Sequence, residues 1–143
     1  MSNIFRLKLL TFAIIALFAS AASFAIGEDV SPEAKESDRR VAAEAKLKAE
    51  SSSVTLYAKG LCCPSCSIGV RKMVSKLEFV DRKRFNKGVE LDTKMQLVSV
   101  AVREGAKVNY DSLATAVEKA GYDPVRAYSI HDGALQTHAL VAR

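Results

Sequence analysis

The chain has no tryptophan, two histidines and three prolines, and aromatic residues make up only 7% of it. Each scarcity excludes something. Binders of single-stranded nucleic acid interleave basic residues with aromatic platforms, and that pattern is missing. No Ser/His/Asp arrangement, paired carboxylate site or Gly-rich phosphate loop stands out, which argues against an enzyme. Cysteine is scarce too. There are three, Cys62, Cys63 and Cys66, in one short stretch. An odd, clustered set is a poor disulfide framework and points instead to metal binding or redox chemistry.

A long hydrophobic run is also lacking. Leu9 to Phe18 (LLTFAIIALF) is apolar apart from Thr11, but it is shorter than the ~20 residues of a membrane-spanning helix. It follows Arg6 and Lys8 and precedes the small-residue stretch Ala19 to Ala25. A basic, then apolar, then small-residue order reads as a secretory signal over residues 1–25, with cleavage after Ala25 or Ala22. The expected location is therefore the periplasm or the exterior, which is an oxidising compartment. Loss of Arg6 and Lys8 lowers the formal net charge from +5 to +3. Such mild basicity, with charges of both signs interspersed, offers no nucleic-acid stripe.

Residues 26–52 are polar and charged, and read as a linker or a loose solvated helix opening near Ser31-Pro32. Val41, Ala45 and Ala49 share its weak apolar face. Order begins at residue 53. Val54, Leu56 and Ala58 alternate with Thr55, Tyr57 and Lys59, as in a half-buried strand. From Pro64 the period changes: Cys66, Val70, Met73, Val74 and Leu77 form one helical face, with Ser67, Arg71 and Lys72 on the wet side. Phe85, Val89 and Leu91 share a strand face, Asp92-Thr93-Lys94 turns, and Val98, Val100 and Val102 alternate in a third strand. Asn109 caps a helix to Ala120, Gly121 stops it, and Tyr122 to Tyr128 forms a last strand. The order β-α-β-β-α-β over residues 53–128 predicts an α+β, ferredoxin-like sandwich with two helices on one face of a four-stranded antiparallel sheet. About 75 residues suffice for such a domain to fold alone. Residues 129–143 read as a flexible tail.

The chemistry concentrates in Gly60-Leu61-Cys62-Cys63-Pro64-Ser65-Cys66, between the first strand and the first helix. A helix N-terminus presents unpaired N–H groups and partial positive charge. Both favour thiolates. Two intervening residues let the sulfurs of Cys63 and Cys66 converge on one ion. Soft sulfur selects thiophilic ions such as Cu(I) or Hg(II). Zn(II) fits less well, since a closed structural site wants four ligands.

With those residues in place, the chain resembles the heavy-metal-associated domain family, which includes copper chaperones, metal-pumping ATPase modules and periplasmic mercury-binding proteins. Its Gly-Met-x-Cys-x-x-Cys motif is matched by Gly60 to Cys66 with Leu61 for Met, and its Ala-Gly-Tyr by Ala120-Gly121-Tyr122. The resemblance covers residues 53–128, about half the chain. It implies a metal-sequestering or shuttling protein, with Cys63 and Cys66 as ligands. It places Leu61 as a core anchor and Tyr122 as a shielding group over the site. The partners it implies are a metal-transporting membrane protein, another metal donor or acceptor, and a thiol reductant.

Cys62, at the motif's variable position, is either a third ligand or a bystander thiol. The stretch from Glu78 to Gly88 is longer than the family's link, and its cations Arg82, Lys83, Arg84 and Lys87 read as a solvated loop or a docking site for an acidic partner. His131 and His138 have no spacing that ties them to the cysteines. A thiol–disulfide oxidoreductase using Cys63 and Cys66 is the main alternative, although such domains need more chain and usually a cis-proline opposite the motif.

Overall fold

In chain order the elements are α1 (Glu36–Ala49), β1 (Ser53–Lys59), α2 (Ser67–Val74), β2 (Val89–Asp92), β3 (Leu97–Ala101), α3 (Tyr110–Lys119), β4 (Asp123–His131) and β5 (Ala134–Ala139). The computed structural model describes residues 33–140 except Cys66. The expected signal segment lies outside the described residues. All described residues belong to one unit, Ser31–Arg143. Among them, no helix is long and apolar enough to cross a membrane.

β1 is the central strand. It pairs antiparallel with β3, from Ser53↔Ala101 to Tyr57↔Leu97, and with β4 through Thr55↔Tyr128 and Leu56↔Ala127. β2 joins β3 on one side and β5 joins β4 on the other, giving the order β2-β3-β1-β4-β5. The four-strand subset with α2 and α3 is consistent with the expected ferredoxin-like arrangement. Alternation along β1 decides the packing. Val54, Leu56 and Ala58 join Val70, Val74, Leu113, Val117, Val98 and Val100 in the larger core.

Three expectations need correction. The sheet has five strands, not four, because residues 129–139 are ordered strand rather than tail. Asp132 and Gly133 take φ values of +50° and +77°, which suits a two-residue hairpin turn. β5 then pairs with β4 from Arg126↔Ala139 to His131↔Ala134. The apolar signal of residues 129–139 is sparse, since among them only Ile130 in β4 and Leu135 in β5 pack against the second core.

Second, the segment expected as a linker contains α1, which covers the other face of the sheet. Arg39, Ala43 and Leu47 point inward at four-residue intervals, and Ala43 and Leu47 pack with Tyr57, Leu97 and Tyr128. The face expected to be apolar is the wrong one: Val41 is 68% exposed. The inward face was hidden because an arginine is part of it. Arg39 Nε donates to Met95 O at 3.1 Å, and Nη2 donates to Ala34 O at 2.8 Å and to Gln96 Oε1 at 3.2 Å.

Third, Phe85 is not in a strand. Phe85, Lys87 and Gly88 have φ values of +49°, +56° and +85°, and the strand begins only at Val89. The loop from 78 to 88 is tightly built. Val80 is fully buried and bridges Val102, and Asp81 N donates to Ala101 O at 2.9 Å. A β-carbon on Gly88 would meet Val80 Cγ1 at 2.3 Å, so only glycine fits there.

Candidate metal centre

The loop from Gly60 to Ser65 leaves the end of β1. Gly60 takes φ +88°, which a side chain would resist, and so turns the chain out of the strand. Leu61 then drops into the core with no exposed surface, and its N–H reaches Ala58 O at 3.3 Å. This anchoring leaves the next residues outside. Cys62 is exposed with a free thiol, while Cys63 is half-buried and disulfide-bonded. Cys66 lies outside the described residues.

α2 starts at once. Ser67 N donates to Pro64 O at 3.3 Å and Ile68 N to Ser65 O at 3.4 Å, so the helix opens with two tight turns. The Ser67 hydroxyl also donates to Pro64 O. Ser67 was expected on the wet side, but it is buried and fastens the loop to the helix. The Pro64-x-x-Ser67 spacing is the signal for this, a serine reaching back across a turn. Ser65 Oγ donates to Cys63 Sγ at 3.6 Å, a weak contact that places a hydroxyl dipole on the sulfur.

Tyr122 comes to the loop from the other side. α3 is capped by the Asn109 side chain, which accepts from Ser112 N at 2.9 Å. It ends with Gly121 at φ +91°, with Gly121 N to Glu118 O at 2.8 Å and Tyr122 N to Val117 O at 3.2 Å. That pair of bonds is the Schellman stop. It delivers Tyr122 beside Gly60, where a β-carbon would lie 3.8 Å from Tyr122 Cδ1. Burial pushes the Tyr122 phenol above its ordinary pKa, and the Cys62 charge pushes it further. Tyr122 and Cys62 therefore share one electrostatic neighbourhood.

The histidines are engaged elsewhere. His138 stacks on Tyr110 with ring centroids 4.3 Å apart and meets Ser129 Oγ at 3.1 Å; His131 Nδ1 lies 2.8 Å from Asp132 Oδ2. Among the described residues, which omit Cys66, no three His, Cys, Asp or Glu side chains converge as a metal cluster.

No family profile matches the chain, and no curated protein does. Among solved structures, oxidized MerP from Ralstonia metallidurans CH34 is similar at 30% identity, covering 50% of this chain and 90% of that chain, with a TM-score of 0.41.

Proposed function

We propose that this is an exported protein of the heavy-metal-associated type. In this reading it sequesters or shuttles a thiophilic ion, Cu(I) or Hg(II), on the thiolates of Cys63 and Cys66. It is a binding protein rather than an enzyme. The observation that carries the reading is local: a buried Leu61 holds Cys62 and Cys63 outside the core at the entrance to α2, with Tyr122 alongside. Sulfur ligands at a helix N-terminus gain thiolate character from the unpaired N–H groups there. Few ligands on an exposed loop suit an ion that accepts low coordination and is passed on by thiolate exchange.

The disulfide at Cys63 adds a condition. A disulfide sulfur has no thiolate to give, so two electrons from a thiol reductant must precede loading. The same bond favours a second reading, a thiol–disulfide oxidoreductase.

Titration of the reduced protein with Cu(I), Hg(II) and Zn(II) against competing chelators separates the two. Tight binding of a soft ion, lost in Cys63→Ser and in Cys66→Ser, supports the metal reading. Soft-ion binding that survives both changes would sink it. Rapid turnover of substrate disulfides, with weak metal binding, favours the redox reading. Cys62→Ser tests the third sulfur: a changed affinity or coordination number makes Cys62 a ligand, and an unchanged one makes it a bystander.

A further inference from the structure

The two outer strands of the sheet are finished differently. β2 is four residues long, carries Glu90 and Asp92, and is met by Asn86 of the 78–88 loop through a bridge to Val89. Shortness, charge and a covering loop are devices that keep an edge strand from pairing with another chain. β5 has none of them. Its six residues, Ala134-Leu135-Gln136-Thr137-His138-Ala139, include no Lys, Arg, Asp, Glu, Pro or Gly. Its pairing with β4 runs without a bulge, and among the described residues no strand lies on its other side.

The register decides which backbone groups are open. His131↔Ala134 closes the two-residue turn, and Leu140 N donates to Val125 O at 3.1 Å. Bonded and non-bonded pairs alternate along an antiparallel ladder. Ala134, Gln136 and His138 therefore turn their N–H and C=O groups to β4. Leu135, Thr137 and Ala139 turn theirs to the open edge, where no described strand receives them.

We propose that β5 pairs antiparallel with β5 of a second copy of this chain, about a two-fold axis at Thr137, joining two five-stranded sheets into one. The pairing does not depend on the metal-binding reading. Symmetry selects the axis. Because neighbouring antiparallel pairs differ in type, a two-fold axis must pass through a residue that faces its own copy. Thr137 is the middle one of the three outward residues. With it on the axis, Thr137 faces Thr137 of the second copy, and Leu135 and Ala139 face each other across the seam on both sides. All three pairs are of the bonded type, so no outward group of β5 is left over. The side chains agree. Thr–Thr is a favourable cross-strand pair, Leu135 meets an alanine, and no like charges are opposed. An unrelated peptide could use the same backbone groups, but this strand offers it no charge to select it. Nucleic acid and membrane find neither cations nor a broad apolar face here.

The cysteine loops stay clear of this seam. Lys59 at the end of β1 faces Asp123 at the start of β4, and Ala139 at the end of β5 faces Arg126. β1 and β5 thus both run toward the cysteine end. Antiparallel pairing of the two β5 strands sends the two loops to opposite ends of the joined sheet, so neither sulfur nor ion bridges the copies.

Sedimentation velocity of the reduced, metal-free protein over a concentration series tests this. One six-residue edge makes a small interface, so a monomer–dimer equilibrium with a Kd of about 10 μM to 1 mM is expected. Thr137→Lys and Thr137→Glu each set like charges face to face and should weaken it at least ~10-fold. An equimolar mixture of the two should form a heterodimer, because residue 137 faces itself. Thr137→Pro removes an N–H that β4 does not use. It should abolish the dimer and leave the thermal melt of the dilute monomer near the parent's. Should that variant fail to fold, the two charge variants and their mixture decide. Amide exchange at Leu135, Thr137 and Ala139 should slow as concentration rises. Cys62→Ser should leave association unchanged. A protein still monomeric at ~1 mM overturns the proposal, even where its edge accepts an unrelated extended peptide. So does a dimer indifferent to both charge variants, a mixture that does not associate, or a dimer lost in Cys62→Ser.

Discussion

The guanidinium carbon of Arg39 lies 3.6 Å from the centroid of the Tyr57 ring. The contact ties α1 to the central strand across the second core. Arg39 is only 3% exposed, and besides its three hydrogen bonds it faces Glu33 Oε1 at 3.6 Å. Removing it leaves Met95 O and Ala34 O short of a donor and the ring without its cation. Arg39→Ala should therefore cost about 3 kcal/mol, read as a lower urea midpoint. Arg39→Lys should recover only part of it, since an ammonium lacks the planar fork.

The Tyr57 hydroxyl donates to Glu33, and burial followed by that hydrogen bond raises its pKa from 10.0 to about 12. The folded state thus holds this proton more tightly than the unfolded chain does. The resulting stability is fully present below the unfolded value of 10.0 and is lost as pH rises through about 12. Tyr57→Phe should show a smaller fall in stability across that window than the parent, in urea melts at stepped alkaline pH.

Tyr122 offers a probe of the candidate site. Its phenol is held above its ordinary pKa by burial first and by the Cys62 charge second. Cys62→Ser should lower the Tyr122 pKa without returning it to the ordinary value. Ultraviolet titration of parent and variant, each compared with its Tyr122→Phe counterpart, checks this. An unchanged Tyr122 pKa would separate the phenol from Cys62.

Gly88→Ala places a methyl group on Val80 and on Asp81 O, 2.3 Å and 2.9 Å away, at a backbone angle that alanine resists. A loss of roughly 2 kcal/mol or more is expected. Asn109→Ala removes a helix cap instead and should cost about 1 kcal/mol. Thermal melts of the two variants test the contrast.

Much of the fold was legible from period and punctuation. The alternation of Val54, Leu56 and Ala58, the Asn109 cap and the Gly121 stop each act through nearest neighbours in the chain and stand where expected, but β1 is not half-buried: Thr55 and Tyr57 on its other side are buried too. The misreadings concern residues whose role depends on distant partners. Arg39 reads as a solvated charge until Tyr57 and Met95 O are beside it. Residues 129–139 have too few apolar positions to announce a strand, and need β4 to pair with. At the candidate site, Leu61 and Tyr122 were visible through the resemblance, whereas Ser67 was assigned to water. Its burial follows from the turn at Pro64-x-x-Ser67, where the serine hydroxyl reaches back to Pro64 O.

Helices on both sides of the sheet have a consequence for handling the molecule. With each broad side already roofed by α1 or by the α2 and α3 pair, the cysteines leave from the end of a strand instead of from either roof. A probe, a bead or a crowded neighbour attached to the α1 roof, for example at exposed Val41, leaves the sulfur-bearing rim open. The protein can be immobilised by that side with the exposed Cys62 still open to solvent.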